Sequence, residues 1–275
     1  MYKRQAQQLA ENLGCNYTIV PIGDSVAHTV EQLYSPIHSY TSNRDFKVEL
    51  TGLMYENIQA RDRGARILSG FSAAFKSGVC CNANKAEITV GYGTFYGDLL
   101  GLFCPLGDLW KHQVYDLGRY LNENVYKKEV IPEAIFTIRP SAELSEEQTV
   151  GRGGDPLQYE YHDYLFRAFV ENWEKMSPAE VLRHYMEHDL EAFIGCGAGV
   201  IDRLFPTHDA FIRDLERWYA LFAGFASAKR IQAPPILSLS PRAYGFDFRE
   251  AQLSPYFSME YEERKEQLLT QDRLF

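Results

Sequence analysis

Residues 50–111 constrain the fold most tightly, because three backbone patterns succeed one another there without a break. Over residues 49–76, Leu50, Met54, Ile58, Ala65, Leu68 and Phe75 recur at helical spacing, so the segment reads as one long amphipathic helix. Val79-Cys80-Cys81 is short and apolar, the length of a buried strand end. Asn82-Ala83-Asn84-Lys85-Ala86-Glu87 turns the chain into a helix. Tyr96-Gly97-Asp98 and Pro105-Leu106-Gly107-Asp108 are glycine-bearing loops, the second leading into a helix at Lys111. Helix, strand, helix is the rhythm of an α/β fold with a doubly wound parallel sheet, whose ligands gather at the strand ends.

The flanking chain keeps that rhythm. Residues 2–13 read as a helix closed by Gly14, residues 15–22 as a short strand, and Ser25 as the cap of the next helix. Residues 141–156 carry three glycines and few apolar side chains, the composition of a loop that is mobile or ordered only by ligand. From residue 159 the pattern is helical, over 161–173, 178–187 and 209–226. The last of these bears Phe211, Leu215, Trp218, Phe222 and Phe225 as a core or interface stripe. Pro234 and Pro235 forbid helix beyond it.

Composition excludes several classes. With 45% hydrophobic residues the chain buries a sizeable core and is not disordered. A net charge of -9 argues against a broad nucleic-acid footprint, so any nucleotide must meet focal positive charges. No apolar run reaches membrane-spanning length. Five cysteines without a CxxC pair suit reduced thiols in a cytoplasmic protein. No Ser/His/Asp or Cys/His constellation stands out.

Three sets of focal charges are candidates. Arg61 falls on the apolar stripe of residues 49–76, where it is either a structural salt bridge or a ligand for phosphate or carboxylate. Lys85 and Glu87 read either as solvated helix-start charges, the commoner case, or as site residues. Lys229-Arg230 are either a solvated helix end or an anion clamp.

In order, Glu56-Asn57-Ile58-Gln59-Ala60-Arg61-Asp62-Arg63, Asn84-Lys85-Ala86-Glu87, Val90-Gly91-Tyr92, Tyr96-Gly97-Asp98 and Pro105-Leu106-Gly107-Asp108-Leu109-Trp110-Lys111 resemble the successive motifs of NAD synthetase. Pro140-Ser141-Ala142-Glu143-Leu144 and Ala228-Lys229-Arg230-Ile231-Gln232-Ala233-Pro234-Pro235 extend the series, and the run from Lys229 to Pro235 together with Ser240-Pro241-Arg242-Ala243 resembles the glutamine-dependent branch most. The resemblance implies an ATP-pyrophosphatase (adenine nucleotide alpha-hydrolase-like) fold and a helical C-terminal part. It also implies an enzyme that uses ATP and magnesium to adenylate deamido-NAD, then ammonia from glutamine to form NAD, AMP and pyrophosphate. Matched position by position, Glu87 is the magnesium ligand, and Asn82, Lys111 and Ser141 contact ATP. Arg61, Lys229 and Arg230 hold deamido-NAD. Lys111 and Glu87 form the catalytic pair. A homodimer is the implied assembly.

Departures accompany the match. Ala228 replaces a histidine of the ammonia-dependent branch, and Phe95 and Leu102 replace its lysine and aspartate. The family's Ser-Gly-Gly-x-Asp-Ser phosphate loop and a glutaminase domain are both absent from these residues. The expectation is therefore one partial synthetase domain over 1–275: an α/β core at 1–140, a loop at 141–158 and a helical part at 159–275. Met1-Tyr2-Lys3-Arg4-Gln5 reads either as an ordinary basic turn or as the translation of a sequencing adapter that cut the frame. Two rival readings stay open, an amidating enzyme of the GMP-synthetase type and a non-catalytic dinucleotide-binding or dimerisation module.

Overall fold

The structure, a computed structural model, describes residues 2–138, 140, 155–172, 174–244 and 255–272. It comprises two compact units. The first is drawn from Met1–Cys81, Thr94–Leu102 and Tyr115–Pro156, the second from Asn82–Gly93, Phe103–Val114 and Leu157–Phe275.

The first unit opens with α1 (Tyr2–Leu13) and α2 (Gly23–Tyr34). Gly14 ends α1 at φ 67°, a left-handed backbone that suits a residue without a Cβ. Residues 15–22, expected as a strand, join no ladder, and Tyr17, Ile19 and Val20 lie exposed there. β-propensity describes how a residue fits a sheet; it supplies no partner strand. A small antiparallel hairpin follows, β1 (Ile37–Ser39) with β2 (Arg44–Phe46), turning through Asn43 at φ 50°.

The helix expected over 49–76 is real but not uniform. It divides into α3 (Gly52–Arg61), a π-helical segment (Asp62–Leu68) and α4 (Ser69–Phe75). Thr51 caps α3, its hydroxyl accepting from the Met54 N–H. The wider i→i+5 turns rotate the later residues out of phase with the earlier ones. Ala60 and Gly64 face inward, whereas Met54, Leu68 and Phe75 are exposed. Arg61, expected on the buried side, is exposed: it precedes the π-helical segment and shares a face of α3 with the exposed Met54 seven residues earlier. Gly64 is demanded by packing, because a Cβ there would collide with the backbone of Gly97. Gly64→Ala should cost roughly 1–3 kcal/mol, the usual cost of overpacking. Urea denaturation of the variant checks this, and an unchanged midpoint would contradict the tight approach.

Next in the chain come α5 (Lys85–Val90), in the second unit, and α6 (Lys111–Tyr120), whose residues from Tyr115 onward belong to the first. Gly118 of α6 lets the Phe136 ring approach; a Cβ there would lie 2.6 Å from it. The chain continues through a second π-helical segment (Leu121–Tyr126) to α7 (Ala134–Thr137). The Asn122 side chain ties the π-helical segment to the connection before α7, accepting from the Val130 and Ile131 N–H groups and donating to the Ile131 carbonyl.

The second unit adds α8 (Tyr159–Val170), α9 (Pro178–Met186), α10 (Leu190–Ile194), α11 (Val200–Leu204), α12 (His208–Ala223), α13 (Ala226–Gln232) and α14 (Met259–Asp272). Its core is aromatic, with Tyr161, Leu165, Phe166 and Phe169 of α8 and Phe211, Leu215 and Trp218 of α12 all buried. Each such side chain contributes about 1.5–3 kcal/mol relative to exposure. A polar thread runs through the core. His162 Nε2 lies 2.8 Å from Asp214 Oδ2, and the Trp218 indole donates to the other Asp214 oxygen at 3.0 Å. The stripe expected over 209–226 is shorter than its pattern, because the helix breaks at Gly224 and leaves Phe225 outside the core. α9 begins with a Ser177–Glu180 capping box and Pro178 at its first position.

Among the described residues, one isolated parallel bridge is found. In the first unit the Leu102 N–H donates to the Val79 carbonyl at 2.8 Å, outside any strand. In the second, Cys104 and Ile236 form a parallel bridge, with the Cys104 N–H on the Pro235 carbonyl at 2.9 Å. Pro234 and Pro235 have no N–H to extend that ladder. No described helix is long and apolar enough to cross a membrane.

Candidate active site

The site is built around α5, six residues long and almost wholly buried. Asn84 starts it with a capping box: the Asn84 side chain accepts from the Glu87 N–H at 3.1 Å, and Glu87 Oε2 accepts from the Asn84 N–H at 2.9 Å. The motif residues Asn84 and Glu87 thus secure their own helix start. Gly91 ends α5 in the left-handed conformation at φ 63°, where a Cβ would press on Ala226 and Lys229.

Beneath the helix start lies the second unit's buried ionic centre. Lys85 is 0% exposed. Its ammonium donates to Asp108 at 2.7 Å, Glu171 at 2.6 Å and the Ser240 hydroxyl at 2.9 Å. Asp108 also accepts the backbone N–H groups of Leu239 and Ser240, and the Trp110 indole donates to Glu171 at 2.9 Å. Burial alone would raise the Asp108 carboxyl; the hydrogen bonds from Lys85, Ser240 and Leu239 outweigh it and hold the group below the usual carboxylate range. The solvated-charge reading of Lys85 is therefore wrong. Sequence spacing could not reveal it, because Asp108, Glu171 and Ser240 come from three distant segments.

The ATP-side candidates lie near the same end of α5. Glu87 is half-buried, and the Tyr159 hydroxyl donates to its Oε1 at 2.9 Å. Lys111, the first residue of α6, places its ammonium 5.3 Å from the centroid of the same Tyr159 ring. Glu87 and Lys111 therefore share a partner that sequence reasoning missed. Asn82 is exposed, two positions before the cap. Ser141, and the loop around it, lie outside the described residues.

The basic pair works at the opposite end of α5, about 9 Å away by the helical rise per residue. Lys229 donates to the carbonyls of Gly91 at 2.7 Å and Gly93 at 2.5 Å, where a cation meets the negative pole of the helix. The buried Arg230 guanidinium donates to the Thr89 and Phe222 carbonyls and packs against the Phe222 and Tyr244 rings. Both side chains are thus engaged in packing. Arg61 belongs to the first unit, with its Nε donating to the Phe95 carbonyl at 3.2 Å. Its neighbours there are also motif residues. The Thr94 hydroxyl donates to Asn57 at 2.8 Å and the Thr94 N–H to Asp98 at 2.6 Å.

Chemically, the second unit offers a carboxylate and an ammonium on one aromatic partner, a set suited to a divalent cation beside phosphate oxygens.

A family model described as NAD synthase matches residues 2–192. The chain is 36% identical over 188 residues to a glutamine-dependent NAD(+) synthetase of Aquifex aeolicus, a match covering 67% of this chain and 30% of that protein. It is 38% identical over 178 residues to one from Thermotoga maritima, covering 64% and 28%. The crystal structure of a glutamine-dependent NAD(+) synthetase from Cytophaga hutchinsonii superposes with a TM-score of 0.62 at 18% identity, over 96% of this chain and 38% of that one. That likeness shows the fold and agrees with the α/β class. The chain spans about 30% of the length of the curated relatives it matches.

Proposed function

This chain belongs to the NAD synthase family, and from that premise we propose that it carries the synthetase portion of an enzyme that makes NAD from deamido-NAD, ATP and ammonia. The observation that carries the reading is the meeting of Glu87 and Lys111 on Tyr159, inside the matched residues.

The reaction follows from elementary chemistry. A carboxylate is a poor acyl donor. A carboxylate oxygen of deamido-NAD attacks the α-phosphorus of ATP, the bond to the bridging oxygen breaks, and pyrophosphate leaves. The nitrogen lone pair of ammonia then attacks the acyl carbon, a proton is lost, and AMP departs with the ester oxygen. Lys111, with Asn82 and Ser141, holds the triphosphate and offsets the charge that develops on it. Glu87 is the oxygen ligand a hard cation takes, and magnesium held there would further screen the phosphate charge. Lys229 is a candidate for the dinucleotide in the second unit, where Arg230 fixes the segment that presents it, and Arg61 is a candidate in the first. Ammonia reaches this site from a glutaminase portion of the same protein.

Support for a homodimer comes from Leu53, Met54, Leu68, Phe71 and Phe75, apolar and exposed on the long helical run; sedimentation of the full-length protein tests it. A cytoplasmic setting agrees with five cysteines that carry thiols rather than disulfides.

The test is formation of NAD from deamido-NAD, Mg-ATP and glutamine by the full-length protein, with xanthosine monophosphate as the competing acceptor. Turnover of the latter alone would sink the assignment. The 275-residue chain by itself is expected to release no pyrophosphate above background, because its sequence holds no Ser-Gly-Gly-x-Asp-Ser loop to cradle the phosphates. Robust release dependent on deamido-NAD would overturn that expectation.

A further inference from the structure

We propose that Tyr159 is a positioning residue for the ATP half of this site, one phenol that orients both the Glu87 carboxylate and the Lys111 ammonium. The inference rests on the function proposed above and deepens it.

The geometry joins three helix starts. Glu87 lies in the first turn of α5, Lys111 begins α6 and Tyr159 begins α8. α8 is a rigid mount, because Tyr161, Leu165 and Phe166 behind Tyr159 are fully buried. The Glu87 carboxylate is held at both oxygens from two different elements, by the Asn84 N–H at 2.9 Å and by the Tyr159 hydroxyl at 2.9 Å. A carboxylate so held keeps one rotamer. Hydrogen bonds of this kind to a metal-binding carboxylate tune its affinity for the ion. The ring attracts the Lys111 ammonium at 5.3 Å through its quadrupole, which restrains a long and otherwise mobile side chain. Hydroxyl and ring therefore do separable jobs. The hydroxyl governs how well Glu87 receives a divalent cation, and the ring governs where Lys111 meets phosphate.

The experiment is calorimetric binding of α,β-methylene ATP to the full-length protein, with and without magnesium, for wild type, Tyr159→Phe and Tyr159→Leu. Thermal melting is recorded alongside. Tyr159→Phe keeps the ring, so metal-free binding should stay at the wild-type value while the gain from magnesium falls by about 10-fold. Tyr159→Leu should weaken metal-free binding as well. If Tyr159→Phe binds as wild type under both conditions, or only its melting temperature moves, Tyr159 is merely structural and the inference is wrong. A wild-type protein that binds no analogue would instead overturn the synthetase reading, and this inference with it.

Discussion

Replacing Asp108 with Asn is expected to lower stability by about 3–5 kcal/mol, the usual cost of removing one partner from a buried ion pair. Lys85 and Asp108 are both fully buried at 2.7 Å. The variant leaves the ammonium with Glu171, whose side chain is a quarter exposed, and weakens acceptance of the Leu239 and Ser240 N–H groups. Urea denaturation at neutral pH measures the loss. The pH dependence gives a second check. The folded Asp108 carboxyl lies below its ordinary value because hydrogen bonds from Lys85 and from Ser240 and Leu239 overcome the opposing effect of burial. A depressed carboxyl stabilises the fold above its unfolded value of about 3.9, and that contribution disappears as pH falls through the folded value. The gap between wild type and Asp108→Asn should therefore close below about pH 4. A gap that stays constant into acid would mean that Asp108 is not charged in the fold. The double variant Lys85→Met with Asp108→Leu should be less damaging than the sum of its singles, since the two fully buried charges leave together and only the partly exposed Glu171 carboxylate loses its cation.

The second large effect concerns Glu87→Gln in the full-length protein. Glutamine keeps the size and one acceptor oxygen, so the capping bond from the Asn84 N–H survives even where the amide NH2 replaces the oxygen that accepts from the Tyr159 hydroxyl. The negative charge does not. With the fold intact, kcat/KM for NAD formation should fall about 10²–10³-fold, the typical loss when one preorganised electrostatic element of a transition state is removed. Steady-state kinetics with a parallel melting curve separate chemistry from stability. Wild-type turnover in this variant would remove Glu87 from metal binding.

The motif order, the helix that follows the turn at Asn82 to Glu87, and the helical second half were legible in the chain; the Asn84 cap, the end at Gly91 and the burial of that helix came from the structure. Caps, terminal glycines and apolar periodicity are local, so neighbouring residues carry their full signal. The π-helical segment after Arg61 was not legible. Within it Gly64 packs closely on Gly97, residues that spacing does not relate. Nor was the burial of Lys85, which requires Asp108, Glu171 and Ser240 to arrive from separate elements. Tyr159 carried no signal beyond an ordinary aromatic at a helix start.

By itself, then, the sequence determined the residue types, the glycine that ends α1, and the ordered motifs that mark the family; its expected cap Ser25 lies inside α2, which begins at Gly23. Tertiary structure alone decided which charges are buried, which apolar side chains stay exposed, and that one tyrosine serves both Glu87 and Lys111. The reason is physical: burial and side-chain partnership are properties of segments distant in sequence, and no local pattern encodes the distance between them.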